Sequence, residues 1–261
     1  MKIYAVQLDI AWEDKAANHA KARALLERAD LAPGSLVILP EMFATGFSMK
    51  VAATSDSATQ ETQAFLAETA QAFGVYLMAG VAVDGKAGKG RNESHTYDPA
   101  GELVARYCKL HPFSYGGEAA NYDAGESLVI FPWQGFTAAP FICYDLRFPE
   151  IFRGAARRGA NLIVVIANWP GTRIAHWLGL LKARAIENQA YVIGVNRCGN
   201  DPKLSYPGRT QVIDPRGEII ADAQGDETIV SADIHLAMLQ DYRAQLPFLA
   251  DMRADFLPPL Q

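Results

Sequence analysis

Two hydrophobic periods alternate along this chain. Residues 2–9 read as an opening strand, and residues 16–29 (AANHAKARALLERA) carry apolar positions at helical spacing. SLVILP at 35–40 is a short apolar run suited to a buried strand. ATQETQAFLAETAQAFG at 58–74 has helical periodicity and a glycine stop, and VYLMAGVAV at 75–83 reads as a strand again. GKAGKGRN then forms a hairpin loop, and 94–107 reads as strand, turn and strand. The second half repeats this grammar. A strand-like stretch, GFTAAPFIC, leads to a helix over 150–158, a strand over 162–167, a helix over 174–189 and a strand over 191–197, with further hairpins after it.

The halves also echo each other in detail. Tyr97-Asp98-Pro99-Ala100-Gly101-Glu102 resembles Ile213-Asp214-Pro215-Arg216-Gly217-Glu218, and each D-P-x-G turn joins two strands. SLVILPE resembles NLIVVIAN, GVYLMAGV resembles QAYVIGVN, and the three matches keep one order. The pattern predicts an α/β (α+β) fold of two mixed sheets packed face to face, with helices on both outer faces. No Pro/Gly/Ser-rich linker interrupts it, so residues 1–261 read as a single domain, with a C-terminal arm from about 246.

Composition narrows the function. Half of the 261 residues are hydrophobic and the net charge is −5 without a basic stripe, which argues against nucleic acid as a partner. No apolar run approaches the roughly 20 residues that a membrane span needs, so no membrane is expected. The start, MKIYAVQLDIAWEDK, reads as a strand rather than a signal peptide. Three cysteines without metal spacing point to free thiols in a reducing cytoplasm, and the histidines form no ligand pair. With neither Rossmann glycines after the first strand nor a P-loop, no cofactor is implied.

The chemistry concentrates at three places of one kind. Glu41, Lys109 and Cys143 each stand where an apolar strand ends. Hydrolysis of an amide needs a nucleophile, a base, a donor for the developing oxyanion and an acid for the leaving amine. Cys143 can be the nucleophile, Lys109 can stabilise negative charge, and a partly buried Glu41 is expected to have a raised pKa. Each residue alone also reads as a core thiol, a loop carboxylate or a solvated lysine. Cys108 neighbours Lys109 in a strand and faces the other side of the sheet, while Cys198 can reach a pocket rim but has no acid–base partner in sequence.

Together, LPEMFATGF, YCKLHPF and FICYDLRFPE, in this order, resemble the nitrilase superfamily of carbon–nitrogen hydrolases. The resemblance implies a four-layer αββα sandwich and a Glu–Lys–Cys triad. Glu41 would be general base and then acid, Lys109 would stabilise the tetrahedral intermediate, and Cys143 would form a thioester. The backbone N–H of Tyr144 would complete the oxyanion hole with Lys109. A second glutamate of the family falls on Glu118 in FSYGGEAANYDAGE, with Glu126 as a weaker rival.

CYDLRFPE, ANWP and ARAIENQAYVIGVNR resemble the ω-amidase branch most. That implies a small-molecule amide substrate, the terminal amide of a dicarboxylic monoamide such as 2-oxoglutaramate or 2-oxosuccinamate. Arg147 either holds the free carboxylate of such a substrate or pairs with Asp145 or Glu150. Phe113, Tyr115 and Trp169 either wall the pocket or pack. Arg184 and Glu187 read as a structural i, i+3 pair. Nitriles, N-carbamoyl amines and N-acyl compounds remain alternative substrates, and a catalytically silent binding protein is the non-enzymatic alternative. The resemblance also implies a homodimer. The apolar face of 174–186 (Ile174, Trp177, Leu178, Leu181, Ala185) serves as its seam or covers its own sheet.

Overall fold

In the computed structural model, which describes residues 1–256, the strands sort into two large mixed sheets. The first contains β1 (Lys2–Gln7), β2 (Leu36–Ile38), β3 (Tyr76–Asp84), β4 (Gly90–Tyr97), β5 (Leu103–Cys108) and β6 (Tyr122–Asp123). The second contains β7 (Phe131–Trp133), β8 (Phe136–Ile142), β9 (Leu162–Ala167), β10 (Tyr191–Asn196), β13 (Gln211–Ile213) and β14 (Ile219–Asp222). Between β10 and β13 a small hairpin, β11 (Cys198–Asn200) and β12 (Ser205–Pro207), stands apart, and β15 (Thr228–Asp233) returns to pair with β1.

Alternation along each strand sets the layers. In β1, Ile3 and Ala5 join the core shared with Phe141 and Val165 of the second sheet. Tyr4 and Val6 face outward instead, into a core with Ala22 and Leu26 of α1 (Lys15–Arg28) and Leu66 and Ala70 of α3 (Glu61–Phe73). On the far side, α5 (Pro149–Arg157) and α6 (Ile174–Asn188) cover the second sheet. The result is the αββα order expected of the sequence.

The internal echo is structural as well. Strands β1, β2 and β3 run parallel and continue into the antiparallel pair β4 and β5; β8, β9 and β10 run parallel and continue into β13 and β14. Both D-P-x-G turns close alike. Asp98 Oδ1 accepts from Ala100 N at 2.9 Å and Glu102 N at 3.0 Å; Asp214 Oδ1 accepts from Arg216 N and Glu218 N, each at 2.9 Å. Gly101 and Gly217 hold φ of 82° and 87°, which glycine adopts without penalty.

Some elements differ from expectation. Strand β4 starts at Gly90 rather than 94, because Gly90 and Arg91 pair with β6. The helices α2 (Val51–Thr54), α4 (Glu118–Asn121) and α7 (Leu236–Gln245) are too short or too weakly amphipathic to show in the pattern. Beyond Leu246, whose carbonyl accepts from Gln189 Nε2 at 2.8 Å, the described part of the expected arm forms two 3-10 turns, and 257–261 lie outside the described residues. No helix among the described residues is long and apolar enough to cross a membrane.

Trp177, Leu181 and Ala185 are fully buried against the chain's own second sheet, so that reading of the helix face holds for these three. The fit is close at Gly194 of β10, where a Cβ would lie 2.3 Å from Leu181 Cδ1 and 2.8 Å from Trp177 Cζ2. Gly194→Ala is expected to cost about 1–3 kcal/mol by overpacking, read as a lowered Tm; an unchanged Tm would show a looser seat for α6.

Candidate active site

Like-directed strands bring the three expected residues to one place. Glu41 follows β2 and Lys109 follows β5, both at the same edge of the first sheet, while Cys143 follows β8 of the second. Two further strand ends contribute asparagines: Asn168 follows β9, and Asn196 ends β10 and takes Trp169 N at 2.7 Å. The turns are tight. Cys143 opens a 3-10 segment (Cys143–Arg147) with φ at 48°, and Met42, next to Glu41, has φ of 44°. Non-glycine residues seldom adopt this region, and such strain clusters at functional sites. Gly80 of β3 lets the Glu41 turn approach, since a Cβ there would lie 2.5 Å from Glu41 Cα.

Lys109 is the centre of the polar network. Its Nζ donates to Glu41 Oε1 at 2.9 Å and to Glu118 Oε1 and Oε2 at 3.1 and 2.8 Å. All three side chains are almost wholly buried. Asn92 Nδ2 donates to Glu41 Oε1 at 2.7 Å and Glu118 Oε1 at 2.8 Å; Phe113 N donates to Glu118 Oε2 at 2.5 Å. Asn168 binds the other side of Glu41, through its N to Oε2 at 2.8 Å and its Nδ2 to the Glu41 carbonyl at 2.7 Å. The Cys143 thiol points at the Asn168 carbonyl, with Sγ 4.0 Å from the oxygen.

Charge states follow from this packing. Burial pushes the Cys143 thiol well above its ordinary value, and the Glu41 charge adds to that, so the sulfur rests protonated. Burial acts against the Lys109 cation, but Glu118, Glu41 and Cys143 outweigh it and hold the ammonium charged. For Glu41, burial is overcome by Lys109 and the amide donors, and its carboxyl lies below the usual range. This corrects the expectation of a raised Glu41: in this trio the raised carboxyl is Glu118, through burial and the Glu41 charge.

A second buried carboxylate holds the cysteine turn. Asp145 Oδ2 accepts from Tyr107 OH at 2.7 Å and Ile142 N at 3.1 Å, and its Oδ1 accepts from His111 N at 3.0 Å and His111 Nδ1 at 2.9 Å. The Cys143 segment is thereby tied to the strand and loop that carry Lys109. Arg184 adds a bond from Nη2 to the Leu146 carbonyl at 2.7 Å, besides its expected pair with Glu187 at 2.8 Å.

Above Cys143 opens a cavity of about 670 Å³. Trp169, Phe113 and Tyr144 line it, and Tyr115 stands at the mouth, 90% exposed. Arg147 lines it too, 4.8 Å above the Trp169 ring and 3.2 Å from His176 Nδ1. Among the described residues Arg147 forms no ion pair with Asp145, which Tyr107 and His111 occupy, or with Glu150. Arg173, unremarked in the sequence, lies over Phe113 at 5.5 Å in the same wall. The acidic groups there are engaged, Glu13 with Ser48 and Lys50, and Asp201 with Tyr206. Glu126 is surface-exposed near Lys86; Cys108 and Cys198 are buried and do not line the cavity.

Asn92, Asn168 and Asp145 were missed as functional because each matters through a partner remote in sequence. ANWP and CYDLR showed two of them at strand ends, and nothing in one sequence says which polar residue turns inward.

A family model described as carbon-nitrogen hydrolase matches residues 2–244. The chain is 38% identical to omega-amidase YafV of Escherichia coli K12, covering 96% of each chain. It is 33% identical to 2-oxoglutaramate amidase of Bacillus subtilis, covering 97% of this chain and 98% of that one. Among solved structures it is similar to XC1258 of Xanthomonas campestris, a CN-hydrolase superfamily protein with an arsenic adduct in its active site, with 34% identity, a TM-score of 0.92 and 99% of both chains covered. It is also similar to a glutamate-to-glutamine mutant of the amidase from Nesterenkonia sp. AN1 that shows Michael addition of acrylamide at the active-site cysteine. That likeness has 27% identity and a TM-score of 0.81 over 95% of this chain and 98% of the other.

Asp145→Asn sets an amide nitrogen against one backbone N–H, that of Ile142 or of His111, whichever way the group turns. About 1–3 kcal/mol is expected per unsatisfied donor, with a lower Tm and a slower reaction. Unchanged Tm and activity would show that Asp145 does not hold the turn.

Proposed function

The chain belongs to the carbon–nitrogen hydrolase family, and we propose that it hydrolyses the terminal amide of small dicarboxylic monoamides such as 2-oxoglutaramate, releasing ammonia. The observation that carries this is the buried Glu41–Lys109 pair with Cys143 at the floor of a cavity whose guanidinium groups, Arg147 and Arg173, pair with no carboxylate among the described residues. The names of the relatives from Escherichia coli and Bacillus subtilis support it.

Each residue then has a task. Glu41 takes the Cys143 proton, and the sulfur attacks the amide carbon. The oxyanion is met by Lys109 Nζ and the Tyr144 N–H. Collapse breaks the C–N bond, and protonated Glu41 returns its proton to the departing nitrogen, which leaves as ammonia. Glu41 next deprotonates a water that attacks the thioester; the acid product departs and the proton returns to sulfur. Glu118 balances the charge of Lys109 throughout. Arg147 holds the free carboxylate of the substrate, with Arg173 beside it, while Phe113, Tyr115 and Trp169 wall the acyl chain.

We place the enzyme in the cytoplasm, where a reactive thiol stays reduced, and as a homodimer. Ile186 on α6 and Ile219 on β14 stand 40% and 49% exposed and offer an apolar rim for the partner. A native mass at micromolar concentration tests this, and a monomeric mass overturns it.

The central test is ammonia release from 2-oxoglutaramate. Wild type should turn over rapidly. Cys143→Ala should lose a factor on the order of 10³ or more with Tm little changed; a variant turning over normally would sink the mechanism. Arg147→Lys should raise KM more than it lowers kcat, because the flat bidentate fork is lost. A large preference for a nitrile or an N-carbamoyl amine would reject the ω-amide assignment.

A further inference from the structure

Asn92 lies on the inner face of β4 and is almost fully buried. Its side-chain nitrogen has two hydrogens, and both are spent on carboxylates, one on Glu41 Oε1 and one on Glu118 Oε1. Its orientation is forced, because each of those oxygens also accepts from Lys109 and cannot donate. Its own Oδ1 is buried and accepts nothing among the described residues. A stranded buried acceptor costs stability and calls for an explanation. Here it is the consequence of turning the amide toward the two glutamates.

We propose that Asn92 is the positioning residue of the general base: it keeps both carboxylates ionised side by side and leaves Glu41 Oε2 as the atom that takes the thiol proton. This rests on the reading of Glu41 as the base. Glu41 Oε1 is filled by Lys109 at 2.9 Å and Asn92 at 2.7 Å. Oε2 has the Asn168 N–H at 2.8 Å and only a long contact of 3.3 Å from Asn168 Nδ2, which bonds the Glu41 carbonyl more closely. Oε2 is therefore the more weakly engaged of the two oxygens, and the one that can exchange the long Asn168 contact for a proton. In the step, the S–H bond of Cys143 breaks, its electron pair stays on sulfur, and an O–H bond forms at Oε2.

The groups facing this pair are few. Lys109 at the end of β5 stays charged, and the Cys143 thiol stays protonated at rest. Tyr122 on β6 is pushed up to about 12 by burial and stays neutral. Behind the Cys143 turn Asp145 and His111 pair with each other; among Glu41, Glu118, Lys109, Cys143 and Tyr122 only the two glutamates titrate in the acidic range. Removing a donor from a carboxylate raises its pKa. More of Glu41 would then be protonated at a given pH, and activity would fail at a higher pH as the solution is acidified.

The test uses the full chain with Asn92→Leu, similar in size but without a donor, and Asn92→Ser in case the first does not fold. Acid limbs of kcat/KM are read from ammonia release. The limb should move up by about one to two pH units in either variant, with much of the rate recovered at higher pH. A limb that stays in place, whether or not the rate falls, overturns the proposal. Glu41→Gln, run in parallel, tests the underlying reading: wild-type turnover in that variant would remove Glu41 as the base, a result distinct from an unmoved limb.

Discussion

One buried ammonium between two buried carboxylates is the interaction on which the site depends. Lys109 is 1% exposed, and Glu41 and Glu118 are fully buried. Taking three charges out of water is costly, and removing one partner of a buried pair typically costs about 3–5 kcal/mol because the remaining charge stays stranded. The fold meets this by supplying donors from every side. Asn92 comes from β4, Asn168 from the end of β9, and the Phe113 N–H from the loop before α4. Each lies on a different segment, so the trio is held only when both sheets are closed on each other.

That dependence explains where the backbone is strained. A parallel strand delivers its end to the sheet edge with the next residue heading away from the interface. To turn Cys143 back over the floor, the chain takes a left-handed φ at that residue, and the Asp145 carboxylate grips the turn through Ile142, Tyr107 and His111. On the opposing sheet, Met42 makes the matching turn, and the close approach to Gly80 replaces a side chain with backbone contact. Cys143 and Glu41, which come from different sheets, are therefore held with little freedom to drift, which is where the proposed proton transfer would gain most from fixed geometry.

Much of this was legible in the sequence, and the reason is local. Period-two apolar runs and helical runs are self-contained signals, so the layers and the repeated half came through, down to the two D-P-x-G turns with their matching Asp98 and Asp214 bonds. Glu41, Lys109 and Cys143 stood out because each stands where an apolar strand ends. The charge balance did not come through. From burial alone Glu41 reads as a raised carboxyl; the contact with Lys109, 68 residues away, together with the Asn92 and Asn168 donors, reverses the sign, and the raised carboxyl is Glu118. The asparagines escaped for the same reason, since an amide's task depends on what faces it. The β11–β12 hairpin and Arg173, which shape the mouth, lie in loops that no periodicity constrains.

The floor and the mouth of the cavity solve opposite problems. Below, burial and the Glu41 charge make Cys143 a poor acid, so its sulfur rests as the thiol. Burial of Lys109 would strengthen its interaction with the oxyanion of the proposed mechanism. A resting thiolate would instead compete with Glu41 and Glu118 for that one cation. In the proposed mechanism, keeping sulfur protonated until an acyl carbon is in place would reserve Lys109 for the charge that develops during reaction. At the mouth, where water reaches Arg147 and Arg173, an anion can be held without joining the buried charge balance. Trp169 and Phe113 line the cavity between the two ends, so in the proposed reading a carboxylate would bring its amide to the floor while its own charge remains outside.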